Sequence, residues 1–112
     1  MEIRAYDPER HFDAIVRIWR EIGWMESVED EKESLQHFAR AANAEVAMLD
    51  GEAECFVQWT PGDIDHTGTL LPFAGITAVA TSRVARKQGL ASALSTRALV
   101  QARESGAAVA GL

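Results

Sequence analysis

The sequence predicts a mixed α/β fold of the α+β kind, one mixed sheet flanked by helices in the order β-α-α-β-β-β-α-β. Three observations carry this. Two stretches of helical apolar period fill the first 42 residues. Asp50-Gly51 then separates two strand-like runs, the mark of a tight hairpin. Finally, the apolar run Phe73 to Thr81 passes through a basic, glycine-containing loop into a helix-prone stretch and a last apolar segment, the layout of a βαβ unit.

Ile3 to Tyr6 reads as a short first strand. Asp7-Pro8 supplies an N-cap residue followed by proline at the first helical position. Phe12, Ile15, Val16, Trp19 and Ile22 recur at helical spacing until Gly23 ends the run. After Trp24-Met25-Glu26, a second helix starts near Ser27 to Glu29. It carries Leu35, Phe38, Ala39 and Ala42 on one face and stops at Asn43. Glu26, Glu29, Asp30, Glu31 and Glu33 surround only Lys32 at its start, where acids complement the helix dipole.

Glu45 to Leu49 and Ala53 to Trp59 form a hairpin across Asp50-Gly51, because Asp-Gly suits the turn type that joins twisted strands. Thr60 to Gly68, rich in turn residues, reads as a loop. A further extended segment begins near Leu70, and Phe73 to Thr81 reads as a buried central strand. Leu90, Ala91, Leu94, Ala98 and Ala102 give the next helix a small-residue face that presses closely on a sheet, and Ser105-Gly106 closes it. Ala107 to Ala110 then begins a strand parallel to Phe73 to Thr81, completing a right-handed crossover. The expectation is a single domain over residues 1–112, incomplete at its C-terminus. An exposed sheet edge beside Ala107 to Ala110 predicts a homo-oligomer or pairing with a separate C-terminal part.

With 112 residues, 47% of them hydrophobic and 25% charged, the chain has the composition of one ordinary folded domain with a single core. The single cysteine, Cys55, excludes an intrachain disulfide, and Met1-Glu2-Ile3-Arg4 has no apolar signal core, so a cytoplasmic location is expected. The least polar run, Leu70 to Ala80, is interrupted by Pro72, Gly75 and Thr77 and is far shorter than the ~20 residues a spanning helix needs. No membrane association is expected. The acidic balance, −6 overall, and the lack of a basic tail also speak against a nucleic-acid partner, and no metal site is expected.

Charge is unevenly distributed. From His66 to Arg103 there is no Asp or Glu, while Arg83, Arg86, Lys87, Arg97 and Arg103 all fall there. A solvated cationic helix face would produce this, and so would a site kept attractive to an anion. The segment Arg86-Lys87-Gln88-Gly89-Leu90-Ala91 favours the anion site. Between a strand and a helix it presents unpaired backbone N–H groups at the positive end of the helix dipole, where a polyphosphate sits well.

These residues resemble the GCN5-related N-acetyltransferases, whose acetyl-CoA signature is Gln/Arg-x-x-Gly-x-Gly/Ala, matched by Arg86-x-x-Gly89-x-Ala91. Ile76-Thr77-Ala78-Val79-Ala80-Thr81 followed by Arg86-Lys87-Gln88-Gly89-Leu90 is most similar to the subgroup that includes the enhanced intracellular survival acetyltransferases. The resemblance spans the chain, but its specific part is confined to Val79 to Ala91. It implies an acetyl-CoA-dependent N-acyltransferase acting on a small-molecule or peptide amine. Val79 and Thr81 match strand positions whose backbone bonds the pantetheine arm, and an N–H near Val79 or Ala80 serves the thioester carbonyl. Arg86 and Lys87 open the pyrophosphate loop, and the amides of Gln88, Gly89, Leu90 and Ala91 face the phosphates. Trp24, Met25 and Glu26, with Trp59 at the end of the hairpin, match the wall of the acceptor site.

The same resemblance leaves the acid and base unassigned. Many family members carry a glutamate on the central strand, and Phe73 to Thr81 has no carboxylate. In the similar subgroup the acid is a tyrosine downstream of the last strand present here, and the base is the terminal carboxylate of an appended domain. Tyr6 is the only tyrosine. His66 reads as a solvated loop residue, His11 and His37 as helix residues, and Cys55 as a small buried filler. A non-catalytic coenzyme A or acyl-CoA binding module is the alternative, since it needs neither acid nor base. A generic nucleotide binder ranks low, because neither glycine-rich nucleotide motif is present.

Overall fold

The computed structural model describes residues 1–26, 28–40 and 43–112. Its elements are β1 (Glu2–Ala5), α1 (Pro8–Glu21), α2 (Val28–Arg40), β2 (Asn43–Leu49), β3 (Glu52–His66), β4 (Thr69–Thr81), a 3-10 turn (Arg83–Ala85), α3 (Leu90–Glu104) and β5 (Val109–Gly111). This is the predicted order. The expected helix positions Ser27 and Ala42 lie outside the described residues.

The five strands form one sheet in sequence order, antiparallel except for the parallel pair β4–β5. Helices cover both faces. Against one face, α3 buries Leu90, Leu94, Ala98 and Ala102 on Cys55, Val57, Trp59, Ala74 and Ile76. Against the other, α1 and α2 bury Phe12, Ile15, Leu35 and Ala39 on Val46, Phe56 and Ala78. Each fully buried leucine or phenylalanine contributes roughly 1.5–3 kcal/mol, and alanines on α3 let its axis approach the strands closely.

Local chemistry sets the element ends. The Asp7 side chain accepts from the Glu9 N–H at 2.9 Å, with Pro8 behind it as expected. Asp50 and Gly51 take φ of 50° and 82°, the doubly positive turn that closes β2–β3. His11, expected as an uncommitted helix residue, is buried, and its Nδ1 accepts the Asp7 N–H at 2.9 Å. Burial holds its pKa below the usual histidine value.

One expectation fails. Thr60 to Gly68 is not a loop: β3 runs on to His66, turns at Thr67-Gly68 (φ 48° and 88°) and pairs with β4 from Thr69. Pro61 and Gly62 argued against a strand. However, among the described residues β2 pairing runs no further than Asn43 opposite Trp59, and from Thr60 onward β3 has a described neighbour on one side only. Proline is tolerated in such an edge ribbon. All of residues 60–70 are exposed, and the molecule measures 44 × 32 × 23 Å.

Candidate functional site

The site takes in the part of β4 that follows its pairing with β5 at Phe73, Ala74 and Gly75, the stretch from Ile76 to Thr81. A bulge interrupts this same stretch. Phe56 opposes Ala80 while Gln58 opposes Thr77, which gives β4 one extra residue, and Ala78 takes φ of 54°. A non-glycine residue in that region costs about 1–2 kcal/mol, and such strain concentrates where a ligand is handled. The bulge also reverses side-chain parity: Ile76 packs under α3, whereas Ala78 faces α1 and α2.

Beyond Thr81 the chain is tied down before it reaches the loop. The Ser82 N–H donates to the Glu54 carbonyl at 2.9 Å, and the Arg83 guanidinium donates to the Glu21 carbonyl at 3.0 Å. Lys87 and Gly89 then take φ of 65° and 79°, and Gly89 is the N-cap of α3 without any side-chain cap. The first helical bond runs from the Ala93 N–H to the Gly89 carbonyl at 3.0 Å. The amides of Lys87, Gln88 and Gly89 have no acceptor among the described residues, and those of Leu90, Ala91 and Ser92 belong to a first helical turn with no intrahelical partner. A Cβ built on Gly89 meets nothing within 4 Å.

An open cleft of about 410 Å³ joins the two features, lined by Ile22, Trp24, Val79, Ala80, Arg86 and Ala91 together with Thr81. Arg86 and Lys87 are exposed and make no ion pair among the described residues. Of the other cations of the acid-free stretch, Arg83 caps the end of α1, Arg97 on α3 pairs with Glu45, and Arg103 is exposed in the last turn of α3. A phosphate group suits this donor set of free amides and two exposed cations.

Of the sequence-predicted cofactor residues, Val79, Ala80, Thr81, Arg86 and Ala91 line the cleft, and Lys87 and Gly89 are exposed on the loop between Arg86 and α3. Leu90 offers only its amide, its side chain being core, and the Gln88 side chain lies on a different depression beside Val84 and Ala85. The predicted acceptor wall is dispersed. Trp24 is 50% exposed on the cleft, but Met25 is buried and Glu26 is exposed, its N–H donating to Glu31. Trp59 does not wall any acceptor site: only 5% exposed, it is packed beneath α3, and its Nε1–H donates to Gln101 at 3.2 Å.

Sequence reasoning missed Ile22, which follows α1 by one residue, and a buried polar cluster behind the loop. Glu54, the extra residue of a bulge in β3, receives the Ser82 hydroxyl on Oε2 and the Arg17 guanidinium on Oε1 at 3.1 Å. A glutamate inside an apolar strand was the available signal. Among the described residues no carboxylate, imidazole or phenol lines the cleft. Cys55 is buried with Sγ 3.3 Å from the Thr81 hydroxyl, and burial pushes its thiol pKa up, away from nucleophilic use. Among the described residues no cluster of three or more His, Cys, Asp or Glu has metal-binding geometry, and no helix is long and apolar enough to cross a membrane.

Comparison with known proteins agrees with this architecture. The family model described as "Acetyltransferase (GNAT) domain" matches residues 2–112. No curated protein matches in sequence. Among solved structures, a probable N-acyltransferase from Enterococcus faecalis V583 superposes with a TM-score of 0.83 at 18% identity, over 97% of this chain and 28% of that one. Eis1 from Mycobacterium abscessus gives 0.77 at 21% identity, over 98% of this chain and 28% of that one. A transcriptional regulator from Bacillus halodurans C-125 gives 0.77 at 21%, over 97% and 78% respectively. At these identities the likeness is one of fold.

Proposed function

Because this chain belongs to the acetyltransferase (GNAT) family, we propose that it is an acetyl-CoA-dependent N-acyltransferase that acetylates a primary amine. The observation that carries the reading is the bulged stretch of β4 running into a loop of unbonded amides flanked by Arg86 and Lys87. Acetyl-CoA supplies an activated acetyl group as a thioester. Val79 and Thr81 hold its arm through their backbone, much as a neighbouring strand would. Arg86 and the amides from Lys87 to Ala91 hold the diphosphate, and an N–H at Val79 or Ala80 stabilises charge on the carbonyl oxygen.

Positioning is the main service this chain gives. Aligning amine and thioester replaces a bimolecular encounter, and a preorganised amide stabilises the oxyanion without reorganisation. The amine proton leaves through the open cleft to water. The run Ile76 to Thr81 followed by Arg86 to Leu90 is what supports the enhanced intracellular survival subgroup, and Eis1 shares the fold. β5 lies at the sheet edge, and we extend the proposal to pairing of two copies there. A monomeric elution volume in size-exclusion chromatography would remove that part.

Turnover is tested by thiol release from acetyl-CoA with polyamine, aminoglycoside and peptide acceptors. Acceptor-dependent release supports the transferase. The absence of an acid or base in the cleft favours one second reading, a non-catalytic acyl-CoA binding module. Saturable acetyl-CoA binding without release for any acceptor would decide for it.

A further inference from the structure

The root of the loop that leads into α3 is held by one residue of another strand. Ser82 is fully buried, directly precedes the 3-10 turn, and has each of its polar groups engaged. Its N–H donates to the Glu54 carbonyl at 2.9 Å, its hydroxyl donates to Oε2 of the Glu54 carboxylate, and its carbonyl accepts the Ala85 N–H at 3.1 Å. Two of these three bonds go to Glu54. That residue is the extra one of the β3 bulge, where Ala47 opposes Cys55 and Met48 opposes Ala53. The bulge reverses side-chain parity, so Ala53 packs under α1 and α2 while Cys55 packs under α3. On Oε1, Glu54 receives the Arg17 guanidinium of α1 at 3.1 Å, and the same nitrogen donates to the Ala53 carbonyl at 3.1 Å. Arg17 also stands 3.7 Å from the carboxylate of Glu21, the residue whose carbonyl takes Arg83.

From this arrangement we infer that Glu54 is a positioning residue for cofactor binding. It fixes Ser82 relative to β3 and α1, and so sets where Arg86 and the amides from Lys87 to Ala91 meet the diphosphate. The inference rests on the acetyl-CoA reading. Folding alone does not call for a glutamate here. The Ser82 N–H bonds a backbone carbonyl that any residue at this position supplies, and a carboxylate only 8% exposed carries a desolvation cost that an apolar residue avoids. Bulges recur beside active sites, where they re-aim a side chain, and this one aims a charge at the start of the loop. The loop has little restraint of its own. The amides of Lys87, Gln88 and Gly89 have no acceptor among the described residues, and α3 has no side-chain cap. Its geometry is therefore set at its two roots: Leu90 in the core at one end, and at the other the turn from Ser82 to Ala85, which Glu54 ties to β3. A loop already held in the shape it uses loses less freedom when the ligand arrives, and that gain is what Glu54 supplies.

The test is a double-mutant cycle on acetyl-CoA affinity, read by calorimetric titration at a temperature where circular dichroism shows every variant folded. Glu54→Ala should weaken acetyl-CoA about tenfold, as Arg86→Ala does. Independent losses would multiply to about a hundredfold in the double variant, whereas losses that act through one loop should stay near roughly twentyfold. Val46→Ala controls for lost stability. It removes buried core on β2, with β3 between it and β4, so it should lower the melting point and leave the affinity within about twofold. If Glu54→Ala does not fold, Glu54→Gln takes its place, since the amide keeps an acceptor for the Ser82 hydroxyl while losing the charge that holds Arg17. Its loss should be about threefold and should likewise fail to multiply with that of Arg86→Ala. Wild-type affinity in the Glu54 variant, losses that multiply in full, or an equal loss in Val46→Ala would overturn the positioning role and leave the coenzyme reading in place. Failure of acetyl-CoA to bind the wild type would remove the coenzyme reading, and this inference with it.

Discussion

Replacing Gly89 with alanine separates phosphate binding from fold stability. At φ of 79° an alanine costs about 1–2 kcal/mol in the folded state, even though nothing within 4 Å would touch its Cβ. For a domain near 100 residues, 1 kcal/mol moves the midpoint by about 4 °C or more, so the free variant should melt roughly 4–8 °C lower. Acetyl-CoA at a hundred times its dissociation constant adds ~2.7 kcal/mol to the wild type, a rise of about 11 °C. A methyl group on the loop face should break at least one charge-assisted hydrogen bond, about 1.5–3 kcal/mol, and weaken binding at least tenfold. At the same ligand concentration the shift should shrink to roughly 2–6 °C. Gly106→Ala is the control: φ there is 104°, again with nothing within 4 Å, but it lies past the far end of α3. It should lower the melting point of the free protein and leave the acetyl-CoA shift intact. Scanning fluorimetry reads all three proteins, with ATP as the comparison ligand. A Gly89→Ala shift equal to that of wild type would refute the loop as the diphosphate holder.

Three further outcomes are expected. Arg86→Ala should leave the melting point within about 1 °C but weaken acetyl-CoA roughly tenfold, with a flatter salt dependence of binding than wild type in calorimetric titration. Ser82→Ala, which strips a hydroxyl from buried Glu54, should cost about 1–3 kcal/mol of stability in urea unfolding; a loss under 0.5 kcal/mol would show the cluster to be incidental. Stability should fall with acidity through His11. Its folded pKa lies below the unfolded value of about 6.5, so the unfolded chain takes the proton first. The contribution is complete above about pH 6.5 and is lost as pH drops through the folded pKa, because protonated Nδ1 can no longer accept the Asp7 N–H. His11→Gln should flatten that part of the urea-midpoint profile against pH.

Much of the fold was legible because local signals agreed with tertiary demands. The helix over Leu90–Glu104 was fixed at both ends by glycines and along its face by small residues, and its bounds match those expected. The Asp-Gly turn was equally direct, since few dipeptides tolerate two positive φ values. The ribbon beyond Trp59 was illegible for the converse reason. Pro61-Gly62 breaks a strand that has neighbours on both sides, and nothing local reveals that, among the described residues, β2 pairing runs no further than Asn43. The bulge at Ala78 leaves no mark in an alternation of alanines, valine and threonines; it emerges only when β3 imposes its register.

The site was legible to the extent that it is built from backbone. A glycine and a helix start are sequence-local features, so the turn from Arg86 into α3 at Leu90 was placed from the sequence. Its electrostatics were not, because an acid-free stretch says nothing about acids brought in from elsewhere. Glu45 on β2 neutralises Arg97, and the C-terminal carbonyl of α1 occupies Arg83. What survives as free positive charge on the cleft is Arg86, with Lys87 next in the chain and the start of α3 just beyond. The acceptor wall shows the same limit from the other side. Trp59 and Trp24 are indistinguishable as letters, yet strand parity turns Trp59 under α3, while the end of α1 leaves Trp24 on the cleft. Which tryptophan meets a substrate is therefore decided by packing partners far away in the chain, and a sequence motif cannot carry that information.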